Sequence, residues 1–197
     1  MLGKLFGSQH RVKILRLFLL NPQSIFDLEM IARRSKVAPK DVKKELVVLG
    51  EIHFIRQRSR GSDESEKAAK EPKKGWQLNP TYPFIYPLSL LLVNTVPFTN
   101  DEIVRRLRGV GKIKLIVTAG IFIQQDDSRT DLLLVADELK KTALEHTIRA
   151  MEAEIGRELN YGVFETADFL YRLGVYDKFI RDVLDYPHEK IYDKLGI

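Results

Sequence analysis

The chain has 197 residues, 44% of them apolar, a net charge of +5 and no cysteine. This length allows one large domain or two small ones, and the apolar share supports ordinary cores and excludes global disorder. Without cysteine there is no disulfide framework, no thiolate metal site and no thiol nucleophile.

The amino terminus, MLGKLFGSQHRVKILRLFLLNP, is partly apolar, but Lys4, Arg11, Lys13 and Arg16 interrupt it. No small-residue cleavage site follows, and no run approaches the roughly 18 apolar residues a membrane helix needs. The expectation is a cytoplasmic protein with no membrane partner. Ser8 or Gln9 precedes the periodic positions Val12, Ile14, Leu15, Leu17 and Phe18, which predict a first helix ending near Asn21-Pro22. Ser24 followed by Asp27 resembles a capping box for a second helix through Ile25, Leu28, Ile31 and Ala32. A turn at Ser35-Lys36-Val37 leads to Pro39, placed for the first turn of a third helix.

In that third helix Val42, Leu46 and Leu49 recur at helical spacing, while Lys40, Lys43, Lys44 and Val47 point away from the core. Gly50 is expected to supply the left-handed residue that stops it. Ile52 to Arg58 then alternates as a strand, with Ile52 and Phe54 on one side. Residues 61–75, GSDESEKAAKEPKKG, read as a hydrophilic wing tip, and Trp76-Gln77-Leu78 as the returning strand. A helix with a cationic outer face followed by a cationic hairpin suits DNA, one in the major groove and the other on the adjacent backbone. Lys36, Lys40, Lys43, Lys44, Arg56, Arg58, Arg60, Lys73 and Lys74 are therefore the candidate contacts to double-stranded DNA.

Charge distribution points the same way. Residues 1–75 hold 17 Lys+Arg against 9 Asp+Glu, a net of +8, whereas the rest of the chain holds 15 against 18, a net of −3. Such a split predicts that one half meets a polyanion. The order helix, short helix, tight turn, helix, strand, carried by IARRSKVAPKDVKKELVVLGEIHFI, resembles the winged helix-turn-helix repressors of bacteria and archaea. Ala38 departs from that family's usual Ser or Thr cap and forgoes roughly 1 kcal/mol.

Tyr82 to Val96 is uncharged, and Pro83 and Pro87 restrict a helix to about 87–94. Leu88 and Leu91 are expected in a core, with a homodimer surface at Phe84, Tyr86 and Leu92. The expected domains are 1–96 and 97–197. The second begins with a helix capped by Thr99 or Asn100 and broken at Gly109 and Gly111. Strands follow at 112–119 and 131–135, then a long helix at about 139–159, a strand at 161–164, a helix capped by Thr166 and another at 177–184. The class is α+β, with helices on one face of a small mixed sheet.

That second order, with DLLLVAD after a glycine turn and the tail DFLYRLGVYDKFIRDVLDYPHEKIY, resembles the minimal nucleotidyltransferases, small relatives of the DNA polymerase beta fold. The resemblance implies a Gly-Ser turn that holds a nucleotide phosphate and paired aspartates that bind magnesium. Here Gly120 keeps the glycine, Ile121 replaces the serine, Ser128 and Asp131 remain, and Arg129 stands for the first aspartate. The strand at 161–164 has no acid. Two-metal chemistry needs converging carboxylates; one carboxylate facing an arginine predicts a salt bridge instead. The expectation is a degenerate nucleotide or anion pocket at Gly120, Ser128, Arg129 and Asp131, open to an anionic effector through Arg129 and Lys112, with no catalytic residue, metal or cofactor. Asp126 and Asp127 read as solvent-facing, and His146 and His188 lack partners at ligand spacing. The leading expectation is a DNA-binding transcriptional regulator whose second domain dimerises or senses a ligand. The alternatives are a nucleotidyltransferase, active or vestigial, tethered to nucleic acid, and a protein-docking module.

Overall fold

The computed structural model describes residues 2–59, 74–94, 97–125 and 128–197. It is a mixed α+β structure that divides into two compact units, Met1–Thr95 with Glu152–Arg157, and Val96–Met151 with Glu158–Ile197. Among the described residues no helix is long and apolar enough to cross a membrane.

The first unit opens with a short helix, α1 (Leu2–Leu5), that sequence periodicity does not signal. In α2 (Gln9–Leu19) the Ser8 hydroxyl accepts the Arg11 N–H and caps the first turn. The cap of α3 (Leu28–Ser35) is Asp27, which accepts the Met30 N–H at 2.7 Å. Ser24 therefore does not start this helix. Phe26 instead forms an antiparallel bridge to Trp76, with N–H to O distances of 2.9 and 2.8 Å. Gly75 permits that approach, since a Cβ there would lie 2.6 Å from the Ile25 side chain and 3.0 Å from the Phe26 carbonyl.

Three residues, the first a left-handed Lys36, separate α3 from α4 (Pro39–Glu51). Pro39 occupies the first helical turn and Ala38 makes no side-chain cap, as the sequence predicts. Gly50 is a correction: it is helical, and the left-handed residue is His53 (φ 59). The His53 N–H bonds the Gly50 carbonyl and the Phe54 N–H that of Leu49, a Schellman closure in which Phe54 and Leu49 are both fully buried. Ile52 consequently ends a helix and is 47% exposed. The strand β1 (Ile55–Ser59) starts three residues later than the alternation suggests and pairs antiparallel with β2 (Lys74–Leu78).

In α5 (Ile85–Leu92) Pro87 lies in the first turn, where its missing N–H costs no intrahelical bond. Leu92 is buried and Leu91 is 41% exposed, the reverse of expectation. Ile85, Leu88 and Leu92 join the core of α2, α3 and α4, through which edge-on rings run from Phe26 to Phe18, Phe54, Tyr82 and Phe84.

The second unit places α6 (Asn100–Leu107), capped by Thr99, before β3 (Lys112–Thr118), β4 (Leu132–Asp137), α7 (Lys141–Ile155), whose last residues from Glu152 belong to the first unit, and β5 (Tyr161–Phe164). Then come α8 (Thr166–Gly174), α9 (Lys178–Leu184) and a strand not anticipated, β6 (Glu189–Asp193). The sheet order is β5-β4-β3-β6, with β4 and β5 parallel and the other pairs antiparallel. Leu115, Val117, Leu133 and Val135 pack with Phe169, Ile180 and Val183 of α8 and α9. Ile116, Leu134 and Ala136 point the other way and are equally buried. Both faces are thus covered, where one was expected. Thr166 is no side-chain cap; its N–H donates to Asp137 Oδ1 at 3.0 Å.

Candidate nucleic-acid interface

Helix α4 owes its orientation to Val42, Leu46 and Leu49, buried to 5% exposure or less. The opposite face presents Lys40, Lys43 and Lys44, with Lys36 exposed in the preceding turn. Lys40 and Lys43 make no ion pair among the described residues, and Lys44 lies 3.4 Å from Asp41. The interior carboxylate of α4, Glu45, is turned inward and bound by Arg11 of α2 at 2.8 Å. Its charge is neutralised inside the unit, so the exposed middle of the helix is cationic. Arg33, exposed in the last turn of α3, is a further cation that the run Ala32-Arg33-Arg34 made visible but that periodicity passed over. Arg34 lies over the Phe26 ring.

On the hairpin, Arg58 is exposed opposite Gly75 in the register. Arg56 is half-buried and reaches Gln77 Oε1 at 3.5 Å, so it braces the two strands. Lys74 is described through its backbone as the first residue of β2. Arg60 and Lys73 lie outside the described residues. Between α4 and the hairpin runs a groove of about 640 Å³ whose lining includes Leu28, Lys43, Val47, Ile55 and Trp76. Val47, 60% exposed, adds an apolar side chain beside the lysines of α4.

The four residues of the expected nucleotide pocket separate into two groups. Asp131 is buried, and Oδ1 accepts the Ile121 N–H at 3.0 Å while Oδ2 accepts the Asn160 N–H at 2.9 Å. Gly120 is left-handed (φ +52), and a Cβ on it would stand 2.3 Å from Asp131 Oδ1. These two form a clamp between the turn after β3 and the approach to β5. Ser128 and Arg129 instead line a cleft of about 620 Å³ with Gln125, Lys178, Asp182, Tyr186 and Pro187. Arg129 pairs with Asp182 at 3.0 Å, not with Asp131, and stays 74% exposed. Lys112 pairs with Glu138 and is absent from this cleft.

These residues do not fit the magnesium pair that the nucleotidyltransferase resemblance implies. The Asp131 oxygens point at backbone N–H groups, and Arg129, which stands in sequence for the first aspartate, pairs with Asp182 in a separate cleft. Among the described residues no group of three or more His, Asp or Glu side chains converges on one point. Asp126 and Asp127 lie outside the described residues. Comparison of the chain with family models, curated proteins and solved structures returns no match.

Proposed function

We propose that this chain is a DNA-binding transcriptional regulator. Its first unit acts as a winged helix-turn-helix, with α4 in the major groove of double-stranded DNA and the β1–β2 hairpin as the wing on the adjacent backbone. The observation that carries the reading is the asymmetry of α4: Lys40 and Lys43 exposed and without an ion pair among the described residues, Glu45 buried against Arg11. Charge reversal in the double variant Lys43→Glu, Arg58→Glu is expected to weaken duplex binding roughly tenfold or more. Wild-type affinity in that variant would remove the assignment.

The second unit, with its degenerate nucleotidyltransferase-like order of strands and helices, serves as a sensor of a nucleotide or other anionic effector. The cleft lined by Ser128, Arg129 and Lys178 supports this: Asp182 neutralises Arg129 within it, and Lys178 leaves the lining with a net positive charge. The expected result is saturable binding of labelled nucleotide that Arg129→Glu with Lys178→Glu abolishes. Transfer of the label to any acceptor would replace the sensor reading by the enzymatic one. Phe84, Tyr86, Leu90 and Leu91, all exposed on or beside α5, supply the surface on which two copies pair, as regulators that read symmetric half-sites do.

A further inference from the structure

The carboxy-terminal residues carry a net charge of −3, yet one groove of the second unit is lined by cations. Arg108, Lys112, Lys114 and Lys194 line a concavity of about 470 Å³ together with Val104, Gly111, Ile113 and Tyr192, and no carboxylate of the described residues lines it. Lys112, Ile113 and Lys114 are consecutive in β3, and a regular strand would send neighbours to opposite faces. The register with β4 shifts between Ile113 and Leu115, leaving Lys114 without a β4 partner. A bulge of this kind breaks the alternation and re-aims side chains. The Lys194 N–H is tied to the Lys114 carbonyl at 2.8 Å, which fixes the end of β6 beside the bulge. The Lys194 ammonium lies over the Tyr192 ring, 5.6 Å from its centre.

The acids near the groove are already engaged. Glu138 pairs with Lys112, and Asp137, which accepts the Thr166 N–H, also feels the charges of Lys114 and Lys112. The Asp193 carboxylate accepts the N–H groups of Leu195, Gly196 and Ile197. Arg108, Lys114 and Lys194 make no ion pair among the described residues.

We propose that this groove is a second nucleic-acid site, in which Arg108, Lys114 and Lys194 hold backbone phosphates of the duplex. A phosphate backbone is favoured over an acidic protein because four of the eight lining residues are cations, whereas the centre of a protein interface is depleted of charge. Sharing one chain with a DNA-binding first unit also raises the local concentration of phosphate at the groove. The inference rests on the first unit's DNA reading, and its test separates the two.

The isotope-labelled full chain is titrated with a short random-sequence duplex and followed by heteronuclear NMR, alongside Arg108→Gln with Lys194→Gln. Both substituted side chains are exposed, and retained dispersion of the spectrum checks the fold. The expected result is amide shifts at residues 112–114 and 192–194 as well as in α4. In the variant the first set disappears, the second persists, and the slope of log affinity against log salt falls by about two. Shifts confined to α4 and the hairpin would overturn the second site and leave the first reading standing. Shifts confined to the groove would support the site and overturn the recognition-helix reading. Shifts in neither place would overturn both.

Discussion

Individual side chains carry several of the constraints that hold each unit together. Arg16 is buried, with Nε donating to the Leu92 carbonyl at 2.8 Å and Nη1 to that of Glu154 at 2.9 Å. Burial pushes its guanidinium below the ordinary arginine value, and Glu154 opposes that shift. Arg16→Ala strands two carbonyls, so chemical denaturation is expected to show a loss of about 1–3 kcal/mol. His53 holds a left-handed conformation that a Cβ disfavours. His53→Gly is accordingly expected to stabilise by roughly 1 kcal/mol, and an unchanged denaturation midpoint would contradict that. Asp137 is held below the usual carboxylate range, first by the Thr166 backbone N–H and then by its other contacts with Thr166. A carboxyl whose folded pKa is depressed stabilises fully above its unfolded value of about 3.9 and loses that contribution as pH falls through the folded value. The melting-temperature gap between wild type and Asp137→Asn should thus be widest near neutrality and close in acid.

At the scale of elements, packing signals were legible and closure signals were not. The apolar positions of α2 and α4 recur at helical spacing because those faces are buried, and β3 was legible as a β-branched run because both its faces are. Gly50 misled because the helix needs its left-handed residue where Phe54 can close on Leu49, and that place falls at His53. In α5 the helix begins at Ile85, before Pro87, which turns Leu92 inward and Leu91 outward. Strand β6, Glu-Lys-Ile-Tyr-Asp, is a half-exposed edge strand whose order comes from hydrogen bonds to β3, so its own sequence carries little strand pattern. The candidate site divides similarly. The lysines of α4 follow from helical spacing, whereas Asp131 was matched to a motif and serves as a clamp. Asp131→Ala leaves the Ile121 and Asn160 N–H groups without it, and is expected to lower the melting temperature rather than merely empty a pocket. A variant that keeps the wild-type melting temperature would contradict the clamp. If α5 pairs two copies, Leu90→Glu with Leu91→Glu should give the monomer mass in light scattering while wild type gives the dimer.

For the whole molecule, the charge split along the chain is a coarser guide than the surface it folds into. The net −3 of the carboxy-terminal residues concealed a groove in which Arg108, Lys114 and Lys194 make no ion pair among the described residues, because charge counts ignore where each carboxylate sits. The same reasoning gives α4 its meaning, since Glu45 counts against the helix in sequence but not on its exposed face. The measurement that tests the central claim most directly is duplex binding by the full chain, read by fluorescence anisotropy on random-sequence DNA across a salt series. Displacement of counterions by the α4 and hairpin cations predicts log affinity falling linearly with log salt, with a slope steeper than about −3. The Lys43→Glu, Arg58→Glu variant should bind weakly and with a shallower slope. A flat salt dependence, or a double variant indistinguishable from wild type, would contradict the account.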